Sequence, residues 1–336
     1  MIRSPAARSP APDWATADRE LCAPAIAAQP GFWQPLPGWA RRHGDDAGPS
    51  SEAAFAAGAA LLALDQIVRA EPPWLGALRQ RQALAAAAIS SRLMRLPADE
   101  AALRDAHHLT RAGDDPGPSG RLHRAWRGLA ARPARAEAAA GLAQALGLGA
   151  TAGAELRPEP ASGAPVARAA ASAARAAAAV GPAQALEGEI FGLMLADLVL
   201  AETLGWPVPV PLLATTILGP ALTGRPQRPR PRPGDPGWAA ACQAAYADAA
   251  GLAHQRALAL ARRAARLCAL AGTLRSKGGA AGLRALLADD AIAARALTEL
   301  GGLGSERAAR RFLERLVALG AARELTGRPL FRLYGL

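Results

Sequence analysis

Three arginines, Arg307, Arg310 and Arg311, stand at helical spacing between Ser305 and Gly320. Residues three or four apart are neighbours on a helix, so the three guanidiniums share one face. A guanidinium is permanently charged and presents a planar fork of donors, which fits phosphate oxygens or the edge of a guanine. Two more, Arg328 and Arg332, lie in and after the turn Thr326-Gly327-Arg328-Pro329. The chemistry these five side chains offer is the binding of a polyanion.

Other constellations are weaker. His107-His108 beside Asp105 suggests a metal ligand set, but adjacent helical residues point about 100° apart and HExxH spacing is absent, so no metal is expected. Asp114-Asp115 lies in a Pro/Gly loop and reads as a turn that caps the following helix. Asp65 and Asp197 interrupt apolar helical runs, LLALDQIV and LMLADLVL. A buried carboxylate is costly unless paired, so each is expected in an ion pair or cap, with Arg79 and Arg81 as partners for Asp65. Such carboxylates also occur in active sites, which keeps an enzyme in the helical body as a third, less favoured reading. No phosphate-binding glycine loop, GxSxG, or Cys/His or Ser/His/Asp set is present, and no catalytic residue or cofactor is expected. Cys22, Cys242 and Cys268 are far apart and in no CxxC spacing, which argues against a disulfide framework and fits a reducing cytosol.

Charge separates the chain into two parts. Residues 1–223 hold 20 arginines and 20 acidic residues, whereas residues 224–336 hold 19 basic residues against 8 acidic ones. The whole formal charge of +11 therefore falls in the last third. Lys277 is the sole lysine, so GC-rich codon usage contributes to the arginine count, but codon bias alone does not explain the asymmetry. A field of this sign favours nucleic acid first and acidic membrane surfaces second. No secretory leader is read in residues 1–50. The most apolar stretch, Ile190–Leu204, is too short to span a bilayer and carries Asp197 and Glu202. The reading is a soluble, cytoplasmic protein.

The elements that must position these residues are mostly helices, since alanine is abundant and aromatic residues make up only 4% of the chain. Residues 1–50 read as a Pro-rich irregular arm carrying Trp14, Trp33 and Trp39. Residues 51–223 read as a neutral helical-bundle domain. Its helices are expected at Glu52–Ala70, Trp74–Leu96, Ala98–Arg111, 121–131, 135–147, 166–180, 183–204 and 211–218. An Arg-Pro linker at 224–237 marks the expected domain boundary. A long basic helix follows over 238–277, with small and apolar residues at 246, 250, 253, 257, 260, 264, 267, 271 and 274. That seam suits packing within the chain or a homodimer. Residues 278–336 read as helices at 280–288, 291–300 and 306–319, then a hairpin of strands at 322–325 and 330–334. Ser305 caps the last helix and Gly320 ends it. Ala309, Phe312, Leu313, Leu316 and Leu319 form its apolar root, opposite the arginines. The order matches a winged helix-turn-helix with a short β-hairpin wing, in which the third helix enters the major groove and the wing reaches the backbone. The fold class is mainly α.

The stretches AFAAGAALLALDQIVRAEPPW (54–74), DEAALRDAHHLTRAGDDPGPSGR (99–121), LADLVLAETLGWPVPVPLLA (195–214) and AARRFLERLVALGAARELTGRPLFRLYGL (308–336) resemble an uncharacterised bacterial family, domain of unknown function 1403. The resemblance covers most of the chain after the arm. It implies a two-part protein and a plasmid or mobile-element setting, and it carries over no functional residue. The functional expectation is a DNA-binding protein, regulatory or tied to mobile elements, that grips double-stranded DNA through Arg307, Arg310, Arg311, Arg328 and Arg332. The alternative is an interaction or scaffold protein whose winged helix holds a protein partner.

Overall fold

The computed structural model describes residues 33–41, 50–111, 113–135, 138–149, 163–219, 222, 229–271, 279–300 and 303–336. Trp14, Cys22, Lys277, Gly301-Gly302 and residues 224–228 lie outside this set. The described residues are mainly helical. In chain order the helices are α1 (Ser50–Ala70), α2 (Leu75–Leu93), α3 (Glu100–His108), α4 (Gly117–Leu129), α5 (Ala138–Ala145), α6 (Pro165–Val180), α7 (Ala185–Leu204), α8 (Leu213–Thr216) and α9 (Trp238–Ala271). Then come α10 (Gly279–Ala288), β1 (Ile292–Ala293), α11 (Ala294–Glu299), α12 (Glu306–Ala318), β2 (Arg323–Glu324) and β3 (Leu333–Gly335).

Local chemistry sets several boundaries. The Asp99 side chain accepts from the Ala102 amide and starts α3. Ser305 does the same for the Ala308 amide at α12. At the far end of α12, Gly320 has φ 68°, and the Gly320 and Ala321 amides return to the Val317 and Leu316 carbonyls. This is a Schellman ending, which needs a left-handed residue and so favours glycine.

Ile292-Ala293 was expected inside a helix spanning 291–300 but forms a strand instead. Its two residues pair with Tyr334 and Leu333, and β2 pairs with the other edge of β3, so the sheet order is β1-β3-β2, all antiparallel. An alanine-rich run reads as helix by propensity, and only pairing with a distant strand overrides it.

One contiguous cluster of buried apolar side chains runs from Trp33 to Leu336. Tryptophan anchors it, with every indole N–H of these three satisfied: Trp126 donates to Ser90 Oγ at 2.9 Å, Trp206 to Asp65 at 2.7 Å and Trp238 to the Ala170 carbonyl at 2.9 Å. Trp33, the arm's one buried tryptophan among the described residues, stacks edge-on against Trp74 at 5.9 Å. Small residues let the helices approach closely. A Cβ on Gly192 of α7 would sit 2.7 Å from the Ala173 carbonyl of α6.

The long helix α9 packs against α1, α6 and α2 of the body. Its seam positions Tyr246, Ala250, Ala253, Ala257, Leu260, Ala264 and Leu267 are fully buried within the chain. Ahead of α9, Arg230 in the Arg-Pro segment forms a 2.5 Å ion pair with the buried Glu189 of α7. That contact fastens residues 229–237 to the body. Among the described residues one helix, within Ser51–Ala70, is long and apolar enough to cross a membrane by length and composition. Its Ala57, Ala60, Leu64, Ile67 and Val68 lie in the core.

Candidate functional site

The last 58 residues form a unit built on α10, α11, α12 and the three-stranded sheet. Phe312, Leu313 and Leu316 of α12 are buried, and Phe312 packs onto Gly282 of α10, where a Cβ would come within 2.5 Å of the ring. This places the opposite face of α12 in solvent. Arg307, Arg310, Arg311 and Arg315 are all exposed there. Arg310 has an i,i+4 partner in Glu306 at 3.3 Å. Arg307, Arg311 and Arg315 have no ion pair or hydrogen bond from any described residue.

The hairpin is arranged differently from the open tip that the sequence suggested. Arg328 makes a 2.5 Å ion pair with Asp105 of α3, so the turn touches the body. Arg332 pairs with Glu314 of α12 at 3.2 Å and donates to the Arg328 carbonyl. Of the five arginines singled out, Arg307 and Arg311 thus stand open, and Arg310, Arg328 and Arg332 are held by acids. Next to them, Leu330 and Phe331 are exposed, at 62% and 69%. Phe331 also has φ 54°, a left-handed conformation unusual for an aromatic residue.

A charged junction joins this unit to the body. Arg127 of α4 holds Asp289 through two hydrogen bonds, at 2.9 and 2.7 Å, and reaches Asp290 at 3.2 Å. Arg104 of α3 reaches the other Asp290 oxygen at 2.9 Å. Burial of Asp290 opposes its charge, but the hydrogen bond with Asp289 and the two guanidiniums hold its carboxyl below the ordinary value. Burial also opposes the charge of Arg127, and Asp289 with Asp290 holds it above its ordinary value. Close by, a Cβ on Gly76 of α2 would lie 2.6 Å from the Ala288 carbonyl, so α10 seats directly on the body.

Three histidines line the body side of this junction. The rings of His107 and His108 lie 4.8 Å apart in an edge contact, and His123 of α4 comes within 5.7 Å of His107. Burial, then the Arg127 charge, pushes His107 and His123 down to about 3, and burial lowers His108 as well. The neutral imidazole is the form that binds metals, but the Arg127 charge beside these rings opposes a cation there. Among the described residues no group of three or more His, Cys, Asp or Glu is arranged to hold a metal ion. His123 has no neighbouring histidine in sequence; its place 15 residues after His108 on a second helix gave no local signal.

The two carboxylates in apolar runs are both satisfied. Asp197 is fully buried and accepts from the Leu212 amide at 2.8 Å, the Leu213 amide at 3.1 Å and the Tyr246 hydroxyl at 3.0 Å. It ties α7 to the start of α8 and to α9. Burial pushes it up to about 7 against the pull of those three donors. Asp65 does not meet Arg79 or Arg81. Its partners are Arg69 at 2.7 Å, one turn on along the same helix, and the Trp206 indole. Arg81 instead turns towards the Leu336 main-chain oxygen, and burial lowers Arg79 to about 10. Asp65 and Arg69 also line a cavity of about 320 Å³, with Leu61, Leu62, Val166 and Gln243. The remainder of its lining is Ala, Gly, Pro and Leu, without a nucleophile or histidine. Asp115 accepts from the Gly117 amide, as in an Asx turn, and from Arg121, but the N-cap of α4 is Pro116, with no side-chain cap bond. Cys242 and Cys268 are both buried.

These features define a mainly helical protein with a basic C-terminal unit of three helices and three strands. A family model described as "Protein of unknown function (DUF1403)" matches residues 31–336, and the chain belongs to that family. No curated protein matches it.

Proposed function

We propose that the chain is a DNA-binding protein whose C-terminal unit is a winged helix-turn-helix, with α12 as the helix that enters the major groove. One observation carries the reading. The order α10-β1-α11-α12-β2-β3, with sheet order β1-β3-β2, goes with an arginine face of α12 that is turned to solvent, Arg310 meeting only Glu306 of its own helix. Arg310 and Arg311 are the base-reading residues, and Arg307, near the start of the helix, holds a phosphate. Arg328 and Arg332 serve the wing, and Arg328 exchanges Asp105 for a phosphate when DNA is bound. The protein acts in the cytoplasm.

Selection of bound sequences from a random duplex pool tests this reading on the full chain. Wild type is expected to enrich a defined site. Arg310→Ala and Arg311→Ala are each expected to relax the preference at one position, at a cost of about 1–3 kcal/mol there. If wild type retains no duplex, the reading fails.

A second reading is favoured by the exposed Leu300, Leu319, Leu330 and Phe331 on the same unit. In it, the unit holds a protein partner, and the selection returns no DNA.

A further inference from the structure

A second group of arginines lies on elements other than α12. Arg81 of α2, Arg263 of α9 and Arg323 of β2 converge on one acceptor, the Leu336 main-chain oxygen, at 2.5, 3.1 and 3.4 Å. Arg262 and Arg266 stand one turn apart on α9 beside Arg263, and both are exposed, as is Arg323. Two turns before Arg263 on the same helix, Arg256 hydrogen-bonds the neutral Gln82 side chain.

Among the described residues, no Asp or Glu forms an ion pair with Arg81, Arg262, Arg263, Arg266 or Arg323. By contrast, Arg69, Arg104, Arg121, Arg127, Arg230, Arg295, Arg310, Arg328 and Arg332 each meet a carboxylate. The cluster instead repels itself. Burial, then Arg323, Arg262 and Arg266, lower Arg263, and Arg81 falls to about 10 through burial and Arg263. Like charges held together against their repulsion, on a rigid helix and a strand, form a ready site for an evenly spaced polyanion. Arg323 follows α12 by a single turn, so this cluster adjoins the unit that carries the proposed groove-reading helix.

We propose that Arg262, Arg263, Arg266 and Arg323 form a second cationic track, which holds the phosphate backbone of the same duplex beyond the segment that α12 reads. The track rests on the proposed DNA-binding function and extends it. It makes the body, through α9, a part of the interface. Its contacts are with phosphate alone and carry no base preference.

The test measures affinity of the full chain for a 40-base-pair duplex of mixed sequence as salt is varied. Each phosphate contact contributes about −0.9 to the slope of log K against log salt. Arg262 and Arg266 are exposed and bear no described partner, so Arg262→Ala/Arg266→Ala keeps the fold. It is expected to make the slope shallower by roughly 2 while leaving the selected sequence unchanged. Charge reversal, Arg262→Glu/Arg266→Glu, is expected to weaken binding further. If wild type binds duplex and both double variants keep its slope, the track is overturned and the groove-reading helix is not. If wild type binds no duplex at any salt, both fall together.

Discussion

Replacing Arg127 by alanine tests the junction that seats the C-terminal unit on the body. Its side chain is 14% exposed and it grips Asp289, at 26%, and Asp290, at 0%. Loss of one partner from a buried ion pair costs about 3–5 kcal/mol, because the remaining charge is left without compensation. Asp290 keeps Arg104, so the lower end applies and a loss of about 3 kcal/mol is expected. Arg127→Lys is expected to lose less than Arg127→Ala but not to restore wild type, since an ammonium cannot make the paired bonds to Asp289. Arg295→Ala is the control. That pair is exposed on both sides, and its loss is expected to cost about 0.5 kcal/mol or less. Urea unfolding of the full chain, followed by tryptophan fluorescence and circular dichroism, reads all three variants. An Arg127→Ala protein within about 1 kcal/mol of wild type would refute the view that this junction is a buried ion-pair clamp.

Two further outcomes follow, one from buried titratable groups and one from an exposed ring. His107 and His123, near 3 in the folded chain and 6.5 when unfolded, favour the folded state fully above pH 6.5 and lose that stabilisation as pH falls through the window towards 3. From pH 7 to 5 each loses about 2 kcal/mol, while Asp197, raised to about 7, regains about 2 kcal/mol. Chemical denaturation at the two pH values should show a net fall of about 2 kcal/mol, deepening in Asp197→Asn; a rise on acidification would contradict the burial of the histidines. Phe331→Gly relieves a left-handed aromatic residue whose ring packs on little, so stability should hold or rise by about 1 kcal/mol in thermal melts; a loss of that size would show that the ring has a structural role.

Much of the helical framework was legible because its signals are local. Alanine runs, the Ser305 cap and Gly320 all act within a few residues of the boundary they set. The strand Ile292-Ala293 was not legible, since its partners lie about 40 residues away and its own residues favour a helix. The same holds for the clamp of Arg104 and Arg127 on Asp289 and Asp290, for His123 joining His107, and for Arg328 meeting Asp105. Each depends on how α3 and α4 meet the C-terminal unit. The Asp65 pairing was available locally, as Arg69 stands four residues on. The amphipathic pattern of α12 placed Arg307, Arg310 and Arg311 in solvent correctly, because one buried face of a helix fixes the other.

The affinity of the full chain for duplex DNA, measured against salt from about 50 to 200 mM, bears most directly on the proposed function. Binding is expected at the low end, falling linearly in log K against log salt. Arg307→Ala/Arg311→Ala is expected to weaken it strongly while the urea stability stays at the wild-type value, since both side chains are exposed and bear no described partner. No salt-dependent binding at about 50 mM, or a double variant that binds as wild type does, would contradict a DNA-reading role for α12.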